Sequence, residues 1–145
     1  MKKLIIHMIG NAHLDPVWLW QWPAGVDEAL ATCRTACDLL DEFPQLFITR
    51  GEAWVHWQIQ KLDPTLFARI KKHVRQDRWQ VVNGWWIQPD CNFPGAESFI
   101  KQGELGKRYF RENLGVDVKV GYNVDSFGHN AYLPSFLRQA GMEKL

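Results

Sequence analysis

The segment Leu4-Ile5-Ile6-His7-Met8-Ile9-Gly10-Asn11-Ala12-His13-Leu14-Asp15-Pro16-Val17-Trp18 passes from a short apolar block straight into a turn rich in His, Asp and Trp. An apolar run of this length with β-branched residues predicts a buried strand over residues 4–9. A helix pattern follows: Val26, Ala29, Leu30, Cys33, Ala36, Cys37, Leu40 and Phe43 recur at helical spacing. They predict an amphipathic helix over 26–43, with Pro44 just beyond its end. The same order then repeats. A second strand is expected at 46–49 and a helix at 52–61. Asp63-Pro64 reads as an N-cap with proline at the first helical position, and Leu66, Phe67, Ile70 and Val74 form the buried stripe behind it. A third strand is expected at 79–83, a long loop at 84–95, and a helix faced by Phe99, Gly103, Gly106 and Phe110 that ends near Gly115. A fourth strand is expected at 118–122 and a last helix at 132–140, with Gly141 as its cap.

Strand and helix in alternation imply an α/β fold with parallel strands and flanking helices. An open doubly wound sheet and a (β/α) barrel both fit. In either, ligands gather at the C-terminal ends of the strands. The 145 residues suffice for one compact domain, and no repeat, linker or low-complexity segment divides them.

Composition narrows the function classes. Hydrophobic residues make up 46% and charged residues 23%, as in soluble globular proteins. The net charge is +1 with no basic run to track phosphates, so nucleic acid is not an expected partner. No stretch reaches the roughly 18 apolar residues of a membrane span. Met1-Lys2-Lys3 could open a leader, but the apolar run after it is short and His13 and Asp15 follow at once, so a strand is the better reading. The cysteines, Cys33, Cys37 and Cys91, are odd in number and lack framework spacing. Cys33 and Cys37 are expected as core thiols, which fits a reducing cytoplasm. Eight tryptophans stand out. Each can pack a core or stack flat on a sugar ring.

Polar and aromatic residues concentrate after the predicted strands: His13, Asp15 and Trp18 after the first, Trp85, Trp86 and Asp90 after the third, Asp125, Phe127 and His129 after the fourth. His13 and Asp15 are two apart, so in extended backbone they point the same way. An imidazole and a carboxylate can then converge on one cation, Zn²⁺ or alternatively Mn²⁺ or Co²⁺, and Asp125 can add a third donor. The plainer reading is a capping Asp beside a hydrogen-bonded His. Asp90 and Asn92 either bind sugar hydroxyls or brace their loop. His7 is expected in the core, His56 and His73 in structural roles, and His129 beside the site rather than on the ion.

Taken together, His13-Leu14-Asp15-Pro16-Val17-Trp18, Gly84-Trp85-Trp86 and Asp125-Ser126-Phe127-Gly128-His129 resemble glycoside hydrolase family 38, the α-mannosidases. Arg50-Gly51-Glu52 and Pro89-Asp90-Cys91-Asn92 are similar as well, so the resemblance runs the length of the chain. It implies a retaining mechanism on a seven-stranded (β/α) barrel with one zinc ion and an α-mannoside substrate. By the same resemblance His13, Asp15 and Asp125 are metal ligands, and Asp125 is also the nucleophile. Trp18 and Phe127 wall the sugar subsite, and Trp86 and Asp90 are expected to contact substrate. The family's fourth zinc ligand and its general acid/base find no match here. Residues 1–145 are therefore expected to be an N-terminal segment of the catalytic domain, inactive by itself, with uncovered strand edges that favour oligomers. Two other readings remain open: a metal-dependent sugar deacetylase on a related barrel, and a non-catalytic fragment.

Overall fold

The computed structural model describes residues 3–143. Met1-Lys2, where a leader would open, and Lys144-Leu145 lie outside the described residues.

The element order is α1 (Trp22–Glu42), β1 (Ile48–Arg50), α2 (Ala53–Leu62), α3 (Pro64–Arg75), β2 (Trp79–Val81), α4 (Ala96–Leu114) and α5 (Leu133–Gln139). All five expected helices form, close to their expected bounds. α1 starts earlier than its apolar stripe because Pro23, with φ already set, suits the first turn. α3 starts where expected: Asp63 Oδ1 accepts the Leu66 N–H at 2.9 Å. α4 ends at Gly115, which takes the left-handed φ of 74° that a helix C-terminus favours.

β1 and β2 pair in parallel, Ile48 against Trp79 and Arg50 against Val81, with α2 and α3 in the crossover between them. The alternating pattern thus yields an α/β arrangement with parallel strands. The core under this pair joins Cys33, Cys37 and Leu40 of α1 to Val55 and Ile59 of α2, Ile70 of α3, Trp79 of β2 and Phe110 of α4. A second cluster, Trp85, Cys91, Phe99, Leu133 and Leu137, anchors the loop after β2 onto α4 and α5.

Two expected strands are much reduced. Residues 4–9 are exposed and only Gly10 joins the ladder, as a bridge to Ile48. The register explains this. In parallel pairing from Gly10–Ile48, Met8 would face Leu46, and residues 6 and 7 would face Pro44 and Gln45. There the chain is turning out of α1, and Pro44 has no N–H to offer. His7 is therefore exposed rather than a core histidine. Of residues 118–122 only Val120 forms a bridge, although Val118 is buried. Its carbonyl accepts the Asn83 N–H at 2.9 Å, and Asn83, at φ 56°, already leaves strand geometry. Two full strands and two bridges stand where four strands were expected.

The thiols follow expectation: Cys33, Cys37 and Cys91 are free and buried. His56 and His73 are buried as well. The eight tryptophans divide by position. Trp79 and Trp85 are fully enclosed, while Trp54, Trp57 and Trp86 pack against the core. Trp18, Trp20 and Trp22 are exposed, and all three flank the turn after Gly10.

Candidate active site

The chain leaves the parallel pair at one end through three segments: 10–15, 50–53 and 82–88. Residues 122–125 arrive beside them. Asn11 Nδ2 donates to the Tyr122 hydroxyl at 2.9 Å, and Arg50 Nη1 donates to the Ala12 carbonyl. This is the C-terminal end of the strands, where α/β folds place ligands.

Here His13 Nε2 lies 3.4 Å from Asp15 Oδ1 and 3.8 Å from Asp125 Oδ2. The three side chains are open to solvent, with 29% exposure for His13, 41% for Asp15 and 67% for Asp125. The approach to His13 is set from behind. Gly25 of α1 lies so close to Pro16 that an added Cβ would meet the Pro16 carbonyl oxygen at 2.2 Å. Trp20 Nε1 donates to the Asp15 carbonyl at 3.2 Å.

Three non-glycine residues at this end carry positive φ: Glu52 at 63°, Asn83 at 56° and Asp125 at 53°. Such backbone is uncommon outside glycine and gathers at functional sites. Glu52 is buried, and burial pushes its carboxyl up. Arg50, His13 and the Gln88 main-chain N–H oppose that rise, and Asp15 adds to it. Arg50 is buried too, with Nε and Nη2 lacking a hydrogen-bond partner. His13, Arg50, Glu52, Asn83 and Gln88 border a small cavity of about 20 Å³ that Leu14 and Val124 also line.

Among the described residues no three His, Cys, Asp or Glu side chains close into a cluster able to hold a metal ion. His13, Asp15 and Asp125 form an open trio. Tetrahedral zinc with bonds near 2.1 Å puts ligand atoms roughly 3.4 Å apart. The His13–Asp15 pair meets that separation and the His13–Asp125 pair is slightly wider. One imidazole nitrogen with two carboxylates is a donor set that suits zinc.

The model of the glycosyl hydrolases family 38 N-terminal domain matches residues 3–145. The chain belongs to glycosyl hydrolase family 38. Similar relatives include "Alpha-mannosidase G" of Dictyostelium discoideum, 30% identical over 93% of this chain and 12% of the relative. "Alpha-mannosidase" of Saccharomyces cerevisiae is 27% identical over 96% of this chain and 13% of its own length. "Alpha-mannosidase F" of D. discoideum is 37% identical over 96% of this chain and 14% of the relative. The crystal structure of an alpha-mannosidase from Enterococcus faecalis V583 superposes with a TM-score of 0.84 at 18% identity, covering 94% of this chain and 15% of that one. A 4-alpha-glucanotransferase from Thermococcus litoralis superposes at 0.71, with 22% identity over 81% of this chain and 19% of that one. At those identities the superpositions establish the fold alone. The chain spans about an eighth of the length of the first two relatives named.

Within this family 38 segment, the residues singled out from sequence fall into two groups. His13, Asp15 and Asp125 come together. Trp18 and Phe127 flank them in the chain and are exposed, at 57% and 73%. Trp86 points elsewhere: its ring packs against Trp57 of α2 and Tyr109 of α4, at centroid distances of 6.0 and 6.1 Å. The Asp90 carboxylate accepts the Asn92 and Phe93 N–H groups and braces its own turn. Asn92 Nδ2 donates to the Phe127 carbonyl at 3.0 Å, which ties that loop to the Asp125 segment. His129 is exposed. The sequence marked Arg50 and Glu52 only as part of the family resemblance, with no role, and did not single out Asn83 or Gln88. Their position at or just past the ends of β1 and β2, by the strand-end rule, was the available signal for the first three. Gln88, within the long loop, carried none. Among the described residues no helix is long and apolar enough to cross a membrane.

Proposed function

We propose that this chain supplies part of the active site of a metal-dependent, retaining α-mannosidase that removes terminal α-linked mannose from glycans or small mannosides. The convergence of His13, Asp15 and Asp125 at the strand ends carries this reading. The family and the α-mannosidase relatives support the substrate class. The parallel pair and its helices would belong to a seven-stranded (β/α) barrel. Buried free thiols fit a reducing, cytoplasmic setting.

His13, Asp15 and Asp125 would hold zinc, which when bound supplies a Lewis acid for the adjacent 2- and 3-hydroxyls of mannose. The covalent work falls to Asp125. Its carboxylate attacks the anomeric carbon as the bond to the leaving oxygen breaks, forming a glycosyl ester. The leaving oxygen takes its proton from a second carboxyl about 5–5.5 Å away, which then draws a proton from the water that releases mannose with retained configuration. Trp18 offers an exposed flat face for the apolar side of the pyranose.

The test is to trap the ester. In the intact enzyme, a fluorinated mannosyl donor with a good leaving group should add one sugar to the peptide that holds Asp125, read by mass spectrometry. Asp125→Asn should show no adduct. Turnover with inversion at C1, or an adduct on another residue, would sink the reading.

A further inference from the structure

We infer that the side chain of Gln88 acts as a surrogate strand that sets the backbone of Asp125, making Gln88 a positioning residue for the site. This rests on the reading that Asp125 works there. Gln88 Nε2 donates to the Val124 carbonyl at 2.6 Å, and Gln88 Oε1 accepts the Val124 N–H at 3.0 Å. One carboxamide thus satisfies both main-chain groups of one residue, as a neighbouring strand would.

The local chain explains why a side chain takes that place. The segment holding Val124 has passed its only bridge, at Val120, and the opposite segment has turned away at Asn83 with φ 56°. Among the described residues no main-chain group bonds the Val124 N–H or carbonyl. The Val124 carbonyl belongs to the planar peptide that enters Asp125, so holding it sets the plane from which φ of Asp125 is measured. That φ is 53°, a conformation a non-glycine residue keeps only when its surroundings impose it. Gln88 is itself held: its Oε1 also accepts from Asn83 Nδ2 at 3.5 Å. Trp85 and Asn92 grip Asn123 and Phe127 on either side, and the Cys91 thiol reaches the Ser126 hydroxyl at 3.7 Å, but among the described residues only Gln88 grips main-chain groups of a residue next to Asp125.

The test uses Gln88→Met, of similar length without donor or acceptor, and Gln88→Glu, which keeps the acceptor and loses the donor. Amide hydrogen exchange at Val124, followed by NMR, should be tenfold or more faster in Gln88→Met, with the Ile59 and Phe110 amides unchanged. In Gln88→Glu the Val124 amide should stay within threefold of wild type. Zinc affinity, by competition with a chromophoric chelator, should fall about tenfold in Gln88→Met. The double variant Gln88→Met/Asp125→Asn should bind zinc no more weakly than Asp125→Asn alone. Unchanged exchange at Val124 overturns the inference, whether or not zinc binds. Faster exchange with unchanged zinc affinity, or additive losses in the double variant, overturns the positioning role. If the intact wild-type enzyme takes up no zinc, the proposed function fails and Val124 exchange alone decides: acceleration upholds the clamp, its absence overturns it. Should Gln88→Met not fold, Gln88→Glu tests the carbonyl half. A zinc affinity at least threefold weaker supports the clamp, and an unchanged one overturns it.

Discussion

The His13 imidazole and the Asp125 carboxylate stand 3.8 Å apart, Nε2 to Oδ2, although they come from opposite ends of the chain. Neither is enclosed, and an exposed pair of this kind contributes about 0–1 kcal/mol. Stability therefore gives little reason to bring them together, least of all with Asp125 in left-handed backbone. A shared ligand gives one.

Removing either partner should thus affect binding far more than folding. His13→Ala and Asp125→Ala should each weaken zinc affinity by about 100-fold or more. Unfolding free energy in urea, without metal, should move by no more than about 0.5 kcal/mol. Chelator competition and urea titration read the two effects separately. A variant that loses stability and keeps zinc would contradict the assignment.

His56 makes stability depend on pH. It is fully buried between Trp79 and Phe110, and its Nδ1–H donates to the Glu52 carbonyl at 2.9 Å. Burial pushes its pKa down to about 4. The unfolded chain protonates this histidine near pH 6.5, whereas the folded chain resists until about pH 4. The depressed folded pKa means its contribution is present above pH 6.5 and lost as pH falls from there to 4, by roughly 3 kcal/mol. Asp41 and Asp117 are held down to about 2 by lysine and arginine partners, so they act in a separate, more acid window. Urea unfolding from pH 7.5 to 4.5 should show the loss, and His56→Phe should reduce it, leaving the part due to His73, whose pKa burial also lowers.

α4 rests on the loop after β2 through Gly106, where an added Cβ would meet the Gly84 oxygen and the Trp85 carbonyl carbon at 2.3 Å. Those are backbone atoms that cannot swing aside. Gly106→Ala should cost about 2–3 kcal/mol in thermal or urea unfolding. It should also loosen the bonds from Trp86 N–H to the Gln102 carbonyl and from Ile87 N–H to Gln102 Oε1. Gly95→Ala, with nothing within 4 Å of its Cβ, is the control and should change little.

Leu4, Ile5, Ile6, Met8 and Ile9 are exposed together, beside a groove of about 400 Å³ that Ala36, Leu39, Leu46 and Ile48 help to line. Contiguous apolar surface of this kind drives association. Sedimentation of the 145-residue chain should show oligomers at micromolar concentration, and Ile5→Lys with Met8→Lys should shift it toward monomer. A wild-type chain that sediments as a single monomer over that range would refute this.

The candidate site was readable to the extent that its residues follow strand ends. His13, Asp15 and Asp125 could be named because polar chemistry interrupted an apolar rhythm at matching places. Trp86 could not be assigned that way. It sits in the same loop as Trp85 and Asp90, and only its neighbours Trp57 and Tyr109 place its ring among the helices. Asp90 likewise looks available in sequence, yet its Oδ1 is engaged by the Asn92 and Phe93 amides.

What the sequence determined by itself was local. The 3.6-residue stripes, the Asp63-Pro64 start and the Gly115 stop predict helices, because a helix closes its hydrogen bonds among near neighbours. Tertiary structure alone decided how far each strand runs, which tryptophans are enclosed, and that Gln88 completes the backbone beside Asp125. Each of those outcomes depends on what lies across from a residue, and a strand's hydrogen bonds are made with another part of the chain.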